Sequence, residues 1–231
     1  MISPQTVKEL AKQLGADLCG IAPVARFDRA PQGFHPKDLF PDTKSVVVIA
    51  KRFPEGPFHA LSPIPYTVTS DVLLAEVTRL TYQLCDNLER TARLRAVPVP
   101  SEPYEYWDAM NRQGLGLLSL KHAAVLAGLG VMGKNTLLTN RQFGNRLCLG
   151  AVLLDVELPG DPMADYRLCA DDCRLCIDAC PARAIGASTV TQKRCRENSE
   201  SRTAKGDHLY ICNKCRTICP NATGTQTFAS A

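Results

Sequence analysis

No stretch of this 231-residue chain comes near the ~20 consecutive apolar residues that a membrane helix needs. The run Ser45-Val46-Val47-Val48-Ile49-Ala50 has only the length of a strand. The opening Met1-Ile2-Ser3-Pro4-Gln5 has neither the basic start nor the apolar stretch of a secretory signal. Basic residues form no block: 27 Lys and Arg are interspersed with 23 Asp and Glu, leaving a net charge of +4, which is not a nucleic-acid footprint by itself. The G-x4-G-K-[ST] spacing of a phosphate loop is missing as well. These absences predict a soluble, cytoplasmic protein with no membrane partner.

Cysteine, by contrast, is plentiful, with 11 residues. In a reducing compartment such thiols serve as metal ligands rather than disulfides. The composition, 45% hydrophobic and 22% charged, is that of an ordinary globular chain. At about 100–200 residues per domain, the length suggests one full domain and a smaller one. Leu158-Pro159-Gly160-Asp161-Pro162 looks like the hinge between them. The expected division is an α/β cofactor or substrate domain over 1–160 and a cysteine-rich domain over 161–231.

Periodicity fills in the first part. Ser3-Pro4 followed by Val7, Leu10, Ala11 and Leu14 predicts a capped helix stopped at Gly15. Asp17–Ala22 reads as a short strand, and Ser45–Ala50 as a strand buried on both faces. The Pro-rich stretches 53–65 and 97–107 read as irregular, and 71–93 as a long helix. A helix over 117–126 and a buried strand over 147–156 follow. Strands mixed with long helices indicate an α/β or α+β core.

Eight cysteines crowd the tail: Cys169, Cys173, Cys176, Cys180, Cys195, Cys212, Cys215 and Cys219. Two segments repeat C-x2-C-x3-C-P, namely Cys173–Pro181 and Cys212–Pro220. Two thiolates separated by two residues can turn around one metal centre, while the third, before proline, reaches the other cluster. Such a two-fold builds the bacterial two-cluster ferredoxin module. One [4Fe–4S] cluster would take Cys169, Cys173, Cys176 and Cys219, and the other Cys180, Cys195, Cys212 and Cys215. Cys169 stands apart, because three residues rather than two separate it from Cys173. Two four-cysteine zinc sites are the chemical alternative, although zinc knuckles lack C-x3-C-P. Cys19, Cys85 and Cys148 sit among apolar neighbours and read as buried thiols.

Gly128, Gly130 and Gly133 form G-x-G-x-x-G, yet a helical rather than strand pattern precedes them, so a dinucleotide fingerprint is not expected. Glycines do let a ligand approach backbone closely, which makes Gly128, Gly130, Gly133, Lys134 and Asn135 candidate cofactor-binding residues. The plain alternative is a tight turn.

The segment Ala127-Gly128-Leu129-Gly130-Val131-Met132-Gly133-Lys134-Asn135 resembles the A-G-L-G-x-x-G-K-N signature of epoxyqueuosine reductases. The order that follows is also similar: a strand near 149–155, one C-x2-C-x3-C-P, a lone Arg194-Cys195, then a second repeat. The resemblance implies a nitroreductase-like α+β core that binds a corrinoid (cobalamin), reduced by two [4Fe–4S] clusters, a plan shared by reductive dehalogenases. A ferredoxin- or flavodoxin-like donor would supply electrons to a small-molecule cofactor or substrate. Flavin is the alternative cofactor, since nitroreductase-like cores often bind it. The family's catalytic aspartate falls near Gly114, where no acid stands, and its helical C-terminal extension is not recognisable, so tRNA is not the expected substrate. No catalytic residue is assigned. Asp108 is a candidate relocated acid, Tyr104, Tyr106 and Trp107 candidate stacking residues, and Tyr66 and His59 loose matches to a family motif. His122 reads as structural. The leading expectation is a reductase; the alternative is an electron-transfer partner or corrinoid-delivery protein without substrate chemistry.

Overall fold

The structure, a computed structural model, describes residues 2–186 and 188–224. The first helix, α1 (Pro4–Gln13), starts where the sequence asks: Ser3 Oγ accepts from the Thr6 amide at 3.1 Å, with Pro4 in the first turn. Strand β1 (Leu18–Pro23), helix α2 (Pro36–Leu39), strand β2 (Ser45–Arg52) and helix α3 (Ile64–Ala92) follow. Then come β3 (Ala96–Val99), β4 (Tyr106–Asp108), β5 (Gln113–Leu115), α4 (Leu120–Leu126), β6 (Val131–Met132), β7 (Leu138–Thr139) and β8 (Leu147–Leu154). The tail carries α5 (Leu175–Asp178), α6 (Gln192–Ser199), β9 (Glu200–Arg202), β10 (His208–Tyr210) and α7 (Lys214–Thr217).

The fold is mixed α/β, built on a four-stranded sheet of order β1-β2-β8-β3. All neighbouring pairs in that sheet are antiparallel. Its two middle strands are apolar without interruption because both sheet faces are covered. Successive side chains of a strand point to opposite faces. Val46, Val48, Ala50, Ala151 and Leu153 accordingly pack with Ala123 and Ala124 of α4. Val47, Ile49, Val152 and Leu154 pack with Val7 and Ala11 of α1 and with Leu80, Leu84 and Leu88 of α3. An unbroken apolar strand is the usual mark of a parallel sheet; here helices cover both faces of an antiparallel one.

Two boundaries differ from the periodicity. Helix α3 begins at Ile64 rather than near Asp71, because Pro63 caps it and Pro65 falls in its first turn. An N–H is not needed there, so proline is no breaker. Residues 97–99, in the Pro-rich stretch expected to be irregular, belong to strand β3. It lies at the sheet edge, where Pro98 is tolerated.

The stretch 158–162, which resembles a hinge, is clamped. The Ile21 amide donates to Asp161 Oδ2 at 2.9 Å, and the Asp161 amide donates back to the Ile21 carbonyl at 2.9 Å. Lys8 pairs with the same carboxylate, and Arg26 Nη1 donates to the Asp161 carbonyl at 2.8 Å. The tail therefore leaves the sheet at a fixed point.

Candidate functional site

The two cysteine repeats fold alike. Helix α5 and helix α7 occupy equivalent positions of the two repeats, each a single four-residue turn, and they pack against each other. Arg174 and Asn213, one residue before each helix, share almost the same backbone angles, φ −126° ψ 5° and φ −129° ψ 18°. After each proline the chain turns the same way: Arg183 N donates to the Cys180 carbonyl at 3.0 Å, and Ala222 N to the Cys219 carbonyl at 2.9 Å.

This pseudo-symmetry sorts the eight thiols into two groups, each drawing on both repeats. Cys169, Cys173, Cys176 and Cys219 line one cavity of about 220 Å³. Burial raises the Cys176 thiol pKa, and neighbouring Cys219, Cys169 and Cys173 add to the rise. Burial likewise raises Cys219, with Cys169 and Cys173 as its neighbours. The other four thiols are electrostatic neighbours. Cys215 is pushed up to about 11 by burial, eased by Arg216 and reinforced by Cys195, Cys212 and Cys180. Cys195 is raised by burial, with Cys180 and Cys212 adding to it. Thiols raised in this way must release protons to bind metal. Among the described residues no three His, Cys, Asp or Glu side chains converge closely enough to hold one metal ion. The first group rings a space several times the ~30 Å³ of one liquid water.

The residues of the glycine motif divide between two tasks. Gly133, Lys134 and Asn135 line the same cavity as the first thiol group. Lys134 Nζ donates to three carbonyls of the loop joining Cys169 to Cys173: Ala170 at 2.9 Å, Asp171 at 2.7 Å and Cys173 at 3.0 Å. An ammonium has three donors, and all three are spent on this one loop, the loop with the long cysteine gap. Asn135 Nδ2 donates to the Cys215 carbonyl at 3.0 Å, tying the motif to the second repeat. Gly128 and Gly130 are not on the cavity. Gly128 lies against the Pro162 backbone and Gly130 against that of Thr139.

The hairpin of β4 and β5 carries the other candidates. Trp107 pairs across it with Gly114, and Tyr104 lies over Gly114. The Gln192 amide grips Gly114 from α6, accepting from its N–H at 2.9 Å and donating to its carbonyl at 3.0 Å. Arg196, next to Cys195, sits 5.2 Å from the Tyr104 ring and 5.1 Å from the Trp107 ring. The rings themselves stack at 6.0 Å. Tyr106 and Trp107 stay about half exposed. Asp108 accepts from the Asn111 amide at 3.0 Å and from Asn111 Nδ2 at 2.7 Å; these bonds hold its pKa below the usual carboxylate value. Such a carboxyl is ionised at neutral pH and has no proton to give.

Tyr66 stacks on Phe53 at 5.2 Å, His59 lies on the surface beside Glu55 at 3.4 Å, and His122 Nδ1 meets Ser119 Oγ at 2.6 Å. The three cysteines outside the cysteine-rich tail are held protonated by burial, Cys19 and Cys85 at about 12 and Cys148 at about 11. Gln192, Asn145 and Asn221 were not singled out from the sequence. Asn145 Nδ2 donates to the Arg216 carbonyl at 3.2 Å and Asn221 Nδ2 to the Leu168 carbonyl at 2.7 Å, so both hold the cysteine loops. Their only sequence signal is that polar residues stand beside a strand and beside the CP turn.

No family model matches the chain. Its homologues are named epoxyqueuosine reductase. It is 26% identical to that of Bacillus cereus over an alignment of 255 positions, covering 95% of this chain and 64% of the relative. It is 35% identical to that of Pseudomonas aeruginosa over 111 residues, 43% of this chain and 30% of the relative. The chain thus spans less than two thirds of either relative. Among solved structures, epoxyqueuosine reductase from Streptococcus thermophilus superposes with a TM-score of 0.68 at 19% identity, over 96% of this chain and 68% of that one. An epoxyqueuosine reductase with a tRNA-Tyr epoxyqueuosine-modified stem loop gives 0.67 at 22%, over 96% and 66%. A reductive dehalogenase described in terms of B12-dependent dehalogenation gives 0.66 at 17%, over 94% and 31%. The structural likeness establishes a shared fold.

Proposed function

We propose that this homologue of epoxyqueuosine reductases is an iron–sulfur reductase. Residues 161–231 form a two-cluster ferredoxin-like module, and residues 1–160 carry the acceptor that it reduces. Cys169, Cys173, Cys176 and Cys219 hold one [4Fe–4S] cluster; Cys180, Cys195, Cys212 and Cys215 hold the other. The observation that carries this reading is the crossover, in which the thiol before each proline joins the other repeat's group. A cavity of about 220 Å³ with four thiols on its wall suits an inorganic cluster better than a single ion.

When bound, the clusters supply one-electron transfer; the chain supplies placement and environment. Lys134 fixes the loop bearing Cys169, Asn135 and Asn145 fix the second repeat, and Arg216 places a permanent positive charge beside Cys215. Positive charge near an anionic cluster raises its potential. Electrons come from a ferredoxin- or flavodoxin-like donor. The acceptor is a corrinoid, in line with the B12-dependent neighbour; flavin is the competing choice. A neighbour holding a modified tRNA stem loop keeps tRNA among the substrates to test, so the sequence argument against it loses its force. The Asn111-bonded Asp108 favours the second reading, corrinoid reduction or delivery without proton transfer to a substrate.

Titrating the anaerobic, cluster-loaded chain with hydroxocobalamin is expected to shift the corrinoid spectrum and saturate at about one per chain. No shift with cobalamin, alongside a saturating shift with FMN, rejects the corrinoid in favour of flavin. Lys134→Met removes three hydrogen bonds from the 170–173 loop. It is expected to leave initial iron content unchanged but to speed loss of the cluster absorption in air several-fold. An unchanged decay would show that Lys134 does not hold that loop.

A further inference from the structure

The β4–β5 hairpin belongs by sequence to the first part of the chain, yet its partners lie in the tail. Among the described residues, every hydrogen bond that leaves residues 102–116 ends on Gln192, Arg196 or Glu200. Gln192 holds both backbone groups of Gly114, and Arg112 pairs with Glu200. Arg196 Nη2 donates to the Tyr104 hydroxyl at 2.9 Å. Its guanidinium also stands 5.2 Å and 5.1 Å from the Tyr104 and Trp107 rings, within cation–π range. With three residues in each strand, the hairpin is marginal on its own. Its support, α6, is no sturdier: it has eight residues, buries none of them, and falls short of the ~12 that an isolated helix needs. Three ties lead from α6 to the second thiol group. Before its first residue, the Thr191 amide donates to the Ala184 carbonyl at 2.9 Å, and the Ala184 amide donates to Cys180 Sγ at 3.3 Å. Its middle carries Cys195, a neighbour of Cys180 and Cys212. At its end, the Ser199 carbonyl accepts from the amide of Ile211, the residue before Cys212, at 2.7 Å.

We propose that Arg196 is a positioning residue through which the second thiol group, once loaded, sets the β4–β5 hairpin in place. The inference rests on the assignment of Cys180, Cys195, Cys212 and Cys215 to one cluster. Four thiolates on one inorganic core fix Cys195 relative to Cys180 and Cys212, and with it the guanidinium next in sequence. Without that core, two marginal elements lose their shared restraint, and the hairpin opens locally. The first thiol group has no such link. Its loops are held by Lys134 and Asn221 instead, and no hydrogen bond joins them to the hairpin among the described residues. The device is a check on assembly: the half-exposed Tyr106 and Trp107 are held in place only when the cluster beside them is present.

The test is anaerobic hydrogen–deuterium exchange of the cluster-loaded full chain, read by mass spectrometry over residues 102–116, with iron measured on every sample. Cys195→Ala is expected to lose about half of the iron. Its hairpin amides should exchange at least about tenfold faster than in wild type, while peptides from β2 and β8 stay protected. Cys176→Ala should lose as much iron and leave hairpin exchange unchanged. Arg196→Met should keep all the iron and still speed hairpin exchange about tenfold. In Cys195→Ala and Arg196→Met alike, the emission maximum of Trp107, the chain's one tryptophan, should move to longer wavelength as the ring gains water. Unchanged hairpin exchange in Cys195→Ala or in Arg196→Met, or equal acceleration in Cys176→Ala, overturns the proposal. Full iron in Cys195→Ala refutes the cluster assignment and the coupling with it, whereas lost iron with an unmoved hairpin refutes the coupling alone. Where Cys195→Ala fails to fold, wild-type chain stripped of iron by a chelator takes its place in the comparison.

Discussion

Replacing Cys219 with alanine is expected to remove about half of the chain's iron, and the half that goes is shared with the first repeat, not with Cys212 and Cys215. Cys219 lies only four residues after Cys215 in sequence. In the fold it nonetheless shares a cavity with Cys169, Cys173 and Cys176. Double variants separate the two arrangements, because two ligands of one cluster act as a unit while ligands of different clusters act independently. Cys176→Ala combined with Cys219→Ala should lose no more iron than Cys219→Ala alone. Cys215→Ala combined with Cys219→Ala should lose nearly all of it. The reverse pattern would mean that each repeat closes on its own centre, and the crossover would have to be abandoned.

Gly128→Ala is expected to destabilise the chain by about 3 kcal/mol, lowering Tm by about 10 °C at this size. Two costs add. Gly128 has φ +76°, a left-handed conformation in which a side chain costs about 1 kcal/mol. Its Cβ would also stand 2.2 Å from the Pro162 carbonyl oxygen. That oxygen belongs to backbone fixed by the neighbouring Asp161 clamp, so it cannot give way cheaply. Gly15 provides the comparison: its φ is +108°, but nothing lies within 4 Å of its Cβ position. Gly15→Ala should therefore cost only the conformational part, about 1 kcal/mol. Thermal unfolding of the two variants side by side checks the difference, and equal losses would rule out a tight junction at Gly128.

The same glycine shows where sequence reading runs out. A-G-L-G-x-x-G-K-N looks like a loop that cradles a ligand, yet Gly128 makes room for the chain's own backbone. Lys134 reaches carbonyls 36 to 39 positions away, and Asn135 one 80 positions away. No local spacing encodes such partners. The likeness of the two cysteine segments was legible because C-x2-C-x3-C-P is a local constraint on how a chain turns, and α5 and α7 take equivalent places in them. Strands β2 and β8 were legible from their continuous apolar runs, and α1 from its Ser-Pro start. The antiparallel order was not, since burial on both faces makes either orientation read the same. The two-residue strands β6 and β7 and the short β9–β10 ribbon have too few residues to show alternation. Arg146 sits at the mouth of an apolar strand and looks like an ordinary polar flank; only its burial distinguishes it.

Iron and acid-labile sulfide per chain, measured on anaerobically reconstituted wild-type protein, test the central claim most directly. Two [4Fe–4S] clusters require about eight of each. Iron at about four or fewer per chain, or zinc in the protein without sulfide, would contradict the two-cluster assignment and the electron relay built on it.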